Sequence, residues 1–445
     1  MFAVLERGWS ALSRRRILTA VAASVVVLRA DAAPPAPTPT HLFPQIQLFA
    51  PEPIRVVWPA AGRSVNAPPL RHLVVPGQGI AIAVVAEGEG RDALLQGATF
   101  VYRIRVDGEE TAVGPQRADA VKAVKADGAD FVVQVIGAAG VADADRKKAE
   151  EATTRVSVAA VVPAWTAPDV KARREAVVEG EATLVDGRKV ALAPARVAIE
   201  TWAAAAAAPP FRDATTLQGW MDGYALAPEP QHLGAALRMA AGSGAHPLAV
   251  LGFPARAIEA APPGAVAAVV AALKGENERS RALGAVALRW GRKDASALVA
   301  TLSPEWRARV EAFPAPPEGY ALDPAPSSLD ATTKKMDLLW GELMATGRSE
   351  PVRAIVGLLQ YRDDYAVFVE ARKTPGQKKE TTPALARGVL YMTAGWSLSS
   401  FVRSSPIVAD YVARWQTDDA VPPVVRDELR RLLTNEAFRP LGKGK

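Results

Sequence analysis

The pattern of apolar and polar residues changes period once along the chain. From about residue 48 to 202 it alternates with a period of two, as half-buried strands do, and from about 211 to 438 it repeats at helical spacing. Phe100, Tyr102, Ile104 and Val106 alternate with Val101, Arg103 and Arg105, and Asp107-Gly108 then leads into the run 109–113. Asp-Gly between alternating runs predicts a tight hairpin, because the favoured turn needs positive φ at both central residues. Asp127-Gly128 and Asp186-Gly187 repeat the device. Further strands are predicted at 54–58, 72–75, 80–86, 154–162, 176–181 and 197–202. So many short strands joined by tight turns predict an antiparallel β-sandwich domain over 48–205, immunoglobulin-like in architecture. Residues 143–151 are charged and lack an apolar stripe, so they read as a solvated helical crossover.

The second half predicts helices over 213–224, 230–241, 246–260, 264–273, 277–290, 294–302, 304–313, 332–346, 350–371, 383–403, 406–416 and 422–434. Ser303-Pro304, Thr382-Pro383 and Ser405-Pro406 each place a capping hydroxyl before a proline at the first helical position. Gly347 followed by Ser349 predicts one helix ending and another starting. Short connections predict an irregular all-α bundle or a short solenoid, so the fold class is α+β and multidomain. A proline-rich stretch, 314–327, divides a front group (211–313) from a back group (328–438) and reads as a linker or as a strap laid over the surface.

The chain has no cysteine, which excludes disulfides, thiolate metal sites, iron–sulfur clusters and thiol nucleophiles. Its four histidines, His41, His72, His232 and His246, are too scattered to predict a metal site, and no cofactor is expected. Residues 1–32 carry Arg7, Arg14, Arg15, Arg16 and Arg29 against Glu6 and Asp31, which leaves three of the six net positive charges for the remainder. So small a surplus gives no reason to expect a nucleic-acid partner. The same segment has a basic cluster, a mildly apolar run over 17–28 and a small-residue site, Ala30-x-Ala32, predicting a signal peptide cleaved after Ala32. The run is too short to span a bilayer, so no permanent membrane span is expected. A proline-rich spacer, 33–47, follows.

Ser13-Arg14-Arg15-Arg16-Ile17-Leu18 resembles a twin-arginine export signal, with Arg14, Arg15 and Leu18 at its defining positions, which implies a periplasmic or secreted bacterial protein. Within 332–400, the runs Leu338-Leu339-Trp340, Ala345-Thr346-Gly347 and Trp396-Ser397-Leu398 resemble bacterial helical proteins of unknown function, a resemblance that implies no particular chemistry.

Candidate sites are sparse. Glu179 and Glu181 stand two apart on a predicted strand and share a face, and with Glu342 they are the carboxylates a hydrolase of envelope glycans or peptides would use. The more ordinary reading is a charged solvent face. Asp363-Asp364 and Asp418-Asp419 read as helix-end acids. Aromatic residues concentrate in the back group, and Trp340, Tyr361, Tyr365 and Trp396 form a candidate surface for sugar rings or a partner peptide, although the more ordinary reading is that they fill an alanine-rich core. Together these features predict an exported, non-enzymatic binding or scaffold protein whose partner is an envelope protein or polymer.

Overall fold

The computed structural model describes residues 45–49, 71–86, 98–117, 157–242, 247–372 and 382–433. The architecture is mixed α+β, with strands first and helices after. The predicted signal 1–32, the strand 54–58, the hairpin about Asp127-Gly128 and the crossover 143–151 lie outside the described residues.

Eight strands are described: β1 (Gln45–Phe49), β2 (Leu73–Val74), β3 (Gly79–Ala86), β4 (Thr99–Val106), β5 (Glu109–Arg117), β6 (Ser157–Thr166), β7 (Arg174–Thr183) and β8 (Lys189–Ile199). They pair in the order β5-β4-β7-β8-β1-β3-β6, with β2 lying parallel beside β8. The pairs are antiparallel except at β8, where Gln45 of β1 meets Ala193 in parallel. β4 keeps the predicted alternation: Phe100, Tyr102 and Ile104 are buried, whereas Val101, Arg103 and Arg105 face solvent. One apolar cluster unites Ile46 and Leu48 of β1, Ile80 and Ile82 of β3, the three β4 residues, and Val178, Leu192 and Val197 of β7 and β8. Asp107 and Gly108 both have positive φ, 51° and 87°, as the hairpin requires.

Several boundaries differ from expectation, two of them at the edges of the β module. Residues 45–47, assigned to the proline-rich spacer, belong to β1, because Ile46 joins Leu48 in the core and the strand finds partners on both sides. The last strand stops at Ile199, and Trp202 opens helix α1 (Trp202–Ala206), whose N-terminal Ala204 amide donates to the Thr201 hydroxyl. A short alanine run is a good helix former once a threonine caps it.

The helical half comprises α2 (Ala214–Tyr224), α3 (Leu233–Gly242), α4 (Pro247–Ala260), α5 (Gly264–Leu273), α6 (Glu278–Trp290), α7 (Ser296–Val299), α8 (Pro304–Glu311), α9 (Leu329–Thr346), α10 (Ser349–Gly357), α11 (Tyr365–Arg372), α12 (Pro383–Ser404), α13 (Pro406–Trp415) and α14 (Pro423–Leu433). Pro230–His232 and Pro326–Ser328 are 3₁₀ turns. The hydroxyls of Thr382 and Ser405 accept from the amides of Leu385 and Val408, and Gly347 terminates α9 at φ 66°. The helix expected over 350–371 is broken, because Leu358–Asp364 tightens to 3₁₀ and Tyr361 leaves helical geometry.

Helix α9 serves both groups. Its Leu338 and Ala345 enter the front apolar cluster with Leu251, Phe253 and Leu273, while its Met336, Leu339, Trp340 and Leu343 enter the back cluster with Val352, Leu390 and Leu398. Burial of each leucine or methionine among them contributes about 1.5–3 kcal/mol, so one helix couples the two clusters energetically.

The β-sheet meets the helices through a polar clamp. Buried Arg71, just before β2, and buried Gln78, just before β3, both donate to the carbonyl oxygen of Pro228, at 2.6 and 2.7 Å. Burial lowers the Arg71 guanidinium to about 10, while nearby Glu229 and Tyr224 act to raise it. Gly77, at φ 79°, lies against Pro262, where an added β-carbon would come within 3.1 Å of the proline Cβ.

Candidate functional site

The strap candidate, 314–326, has no helix before Pro326 and lies where α4, α6 and α9 meet. Side chains of the helices hold its backbone. The indole of Trp290 donates to the Pro314 carbonyl at 3.0 Å, Lys335 Nζ to the Glu318 carbonyl at 3.0 Å, and Thr332 Oγ1 to the Asp323 carbonyl at 2.7 Å. Beneath the strap is a cavity of about 150 Å³, walled by Trp290, Pro316, Pro317, Tyr320 and Leu338, with Gly252 and Ala255 as its floor. At Gly252 the small residue of α4 lets the α9 backbone approach closely at the edge of this cavity.

Glu342 of α9 is the carboxylate on this cavity. It is 6% exposed, and each of its oxygens has a partner: Oε1 accepts from Tyr320 Oη at 2.7 Å, and Oε2 lies 3.2 Å from Arg256 Nε. Arg256 Nη1 also donates to Glu259 at 2.8 Å, and Arg292 lies 3.6 Å from Glu259. Burial opposes the charge on Arg256, but the hydrogen bond to Glu259 and the field of Glu342 leave its affinity for the proton raised overall. The Tyr320 hydroxyl is also pushed up, by burial and by donating to a carboxylate. The site is therefore a chain of charge-assisted bonds, Tyr320 to Glu342 to Arg256 to Glu259, that pins the strap to two helices.

The other candidate carboxylates stand elsewhere. Glu179 and Glu181 lie on β7, where Glu179 pairs with Arg105 at 3.1 Å and Glu181 with Lys189 at 2.8 Å. Their side chains remain 43% and 47% exposed, so the strand pair reads as a charged solvent face, and the fold does not bring either to Glu342. Asp364 receives both Nε and Nη2 of Arg387, at 2.7 and 3.2 Å, and Asp363 is exposed. Asp418 accepts from the Ala420 amide, and Asp419 pairs with Arg426.

Of the candidate aromatic surface, Trp340, Tyr361 and Tyr365 pack with the back core, the more ordinary of the two readings. Trp340 is 5% exposed and stacks on Phe401 with ring centroids 4.1 Å apart, so it is part of the core. Tyr361 and Tyr365 are half-buried and pack against the same cluster, Tyr365 beside Phe368 and Tyr391, and Trp396 is also half-buried. Tyr391 donates to Glu428, a carboxylate with no exposed surface that also receives Arg431 Nη1, both at 2.8 Å. His41 and His246 lie outside the described residues. Among the described residues no group of three or more histidine, aspartate or glutamate side chains is placed to hold a metal ion. No described helix is long and apolar enough to cross a membrane.

Arg256 and Tyr320 were not legible as site residues. Arg256 and Glu259 stand at an ordinary i, i+3 spacing, and 22 residues separate Tyr320 from Glu342. The available signal was the proline-rich stretch itself, since a strap must be held by something. Comparisons with protein families, with curated proteins and with solved structures find no match.

Proposed function

We propose that this chain is an exported protein of a bacterial envelope, periplasmic or secreted, that binds or scaffolds an envelope protein or polymer rather than transforming it. The observation that carries this reading is the commitment of Glu342: both oxygens of the carboxylate on the cavity are engaged by the protein's own Tyr320 and Arg256. A carboxylate that accepts from a tyrosine of the strap and faces an arginine of α4 is placed to fasten the two together. The twin-arginine-like segment, with Arg14, Arg15 and Leu18 before Ala30-x-Ala32, supplies the address.

In this proposal the β module is immunoglobulin-like. The strand order supports that reading: β1-β3-β6 form one antiparallel set, β5-β4-β7-β8 the other, and β1 touches β8 in parallel between them. The helical half acts as an irregular bundle that presents this module. A second reading, hydrolysis of envelope glycans or peptides, has in its favour that Glu342 lines a cavity. It also needs a second carboxylate about 5–9 Å away across the same space, and the described lining contains Glu342 alone.

The test is export of the full chain in a bacterial host. The expected result is a periplasmic or secreted form whose intact mass starts at Ala33, with the double substitution Arg14→Lys, Arg15→Lys held in the cytoplasm. An uncut chain beginning at Met1 among cytosolic proteins overturns the address. Turnover of an envelope glycan or peptide that is lost in Glu342→Gln overturns the binding role.

A further inference from the structure

A buried histidine sits at the junction of sheet and helices. His232 closes the 3₁₀ turn Pro230–His232, is 5% exposed, and its Nδ1 has no hydrogen-bond partner among the described residues. The edge of its ring contacts Phe211, with centroids 6.5 Å apart. The turn packs against α1, α3 and α5.

Those elements offer an imidazolium no carboxylate. Helices α1 and α5 contain no ionisable side chain. In α3 the ionisable residue is Arg238, a cation, paired with Glu276 at 3.3 Å. The charged groups at the borders are already engaged. Glu229 accepts from the Trp220 indole at 2.7 Å and lies in the field of Arg71, and Glu200 accepts from the Thr201 amide at 3.0 Å. On α2, Asp213 caps the helix through Thr216, and Asp222 is bound by Gln218, which also contacts Met344. Lys274 follows α5 and is a cation. A second proton on His232 would place a charge in an apolar seat without a carboxylate to receive it.

The seat is also where the two halves are fastened. The Pro228 carbonyl that accepts from Arg71 and Gln78 stands four residues before His232, and α1, the first helix after β8, rests on the same turn. We propose that His232 is an acid-sensitive latch: its protonation expels the turn Pro230–His232, frees the Pro228 carbonyl from Arg71 and Gln78, and lets the β module move relative to the helices. Burial supplies the bias, since it holds the seated imidazole down to about 4 against an ordinary 6.5. An expelled histidine regains its ordinary proton affinity, so acidification through this range favours the open form by about a hundredfold.

The cysteine-free chain allows a direct test. Val185→Cys on the β7–β8 turn and Val367→Cys on α11 are exposed labelling positions on either side of the junction. Energy transfer between dyes at these sites should change reversibly as pH falls from 7.5 to 4.5, with the helical circular dichroism constant and the half-change between pH 6.5 and 4. His232→Gln should abolish the change. The double substitution Arg71→Ala, Gln78→Ala should move it to higher pH, because the closed form loses two hydrogen bonds. Constant transfer across the range, or an identical response in His232→Gln, overturns the proposal. Should His232→Gln fail to fold, the histidine imidazole resonances of the otherwise unaltered labelled chain decide: titration of His232 without a change in transfer overturns the latch, and coincidence of the two supports it.

Discussion

Gly341 of α9 crosses Gly252 of α4 so closely that a β-carbon on Gly341 would lie 2.9 Å from Gly252 Cα, and one on Gly252 would lie 2.9 Å from Leu338 Cα. Backbone meets backbone there, with no flexible side chain to give way. The contact fastens the front helices to the back ones, and the cavity beneath the strap opens beside it.

Gly341→Ala is therefore expected to destabilise the protein. Alanine gains about 1 kcal/mol of helix propensity, but overpacking against main chain costs about 1–3 kcal/mol or more, and here the neighbour cannot rotate away. A lower denaturation midpoint checks this. Gly223→Ala, on α2 with open space around it, is the control and should be neutral or stabilising by up to about 1 kcal/mol.

Tyr391→Phe should cost about 1.5–3 kcal/mol, the range for a hydrogen bond to a buried charge. The substitution leaves Glu428, which has no exposed surface, with Arg431 as its close donor. Urea denaturation gives the figure. Removal of Arg309, whose bond to Glu305 is solvent-exposed, should change stability by less than about 1 kcal/mol.

Tyr320→Phe removes the donor that ties the strap to Glu342. The expected outcome is several-fold faster proteolytic cleavage within 314–326 at nearly unchanged helical content, because the bonds that Trp290, Lys335 and Thr332 make to the strap are single side-chain contacts to carbonyls. Unchanged cleavage would show that Tyr320 does not hold the strap.

Asp222 gives a pH dependence of defined sign. Burial raises its carboxyl to about 6 although Gln218 donates to it, so the folded state binds the proton more tightly than the unfolded chain. The stability this proton contributes is present in acid and is lost as pH rises from about 4 through 6. Asp222→Asn should stabilise the protein at pH 7.5 and have little effect at pH 4, measured by urea denaturation at both.

Local chemistry was legible where it is decided locally. The helix 264–273 and the start of 383–403 were readable because proline, capping hydroxyls and 3.6-residue periodicity act within one turn. The Asp107-Gly108 hairpin was readable because its positive φ values follow from residue type. For Trp340 the core was the more ordinary reading, but a helical aromatic has the same spacing in either place, and its partner, Phe401, lies 61 positions away. β1 was hidden because five residues beside a proline-rich stretch carry too little pattern of their own, and β3 and β8 complete the strand.

The amino-acid sequence alone determined that strands precede helices, where most of the helices begin and end, and that no thiol or thiolate-metal chemistry is open to this chain. Backbone torsions, capping and composition act over a few residues, so they need no fold to be read. The tertiary structure decided that α9 is shared between two cores, that Glu342 is fastened by Tyr320 and Arg256, and that His232 lies at the clamp formed by Arg71, Gln78 and Pro228. Each of these depends on groups brought together across long stretches of chain, and burial and charge pairing take their value from that meeting.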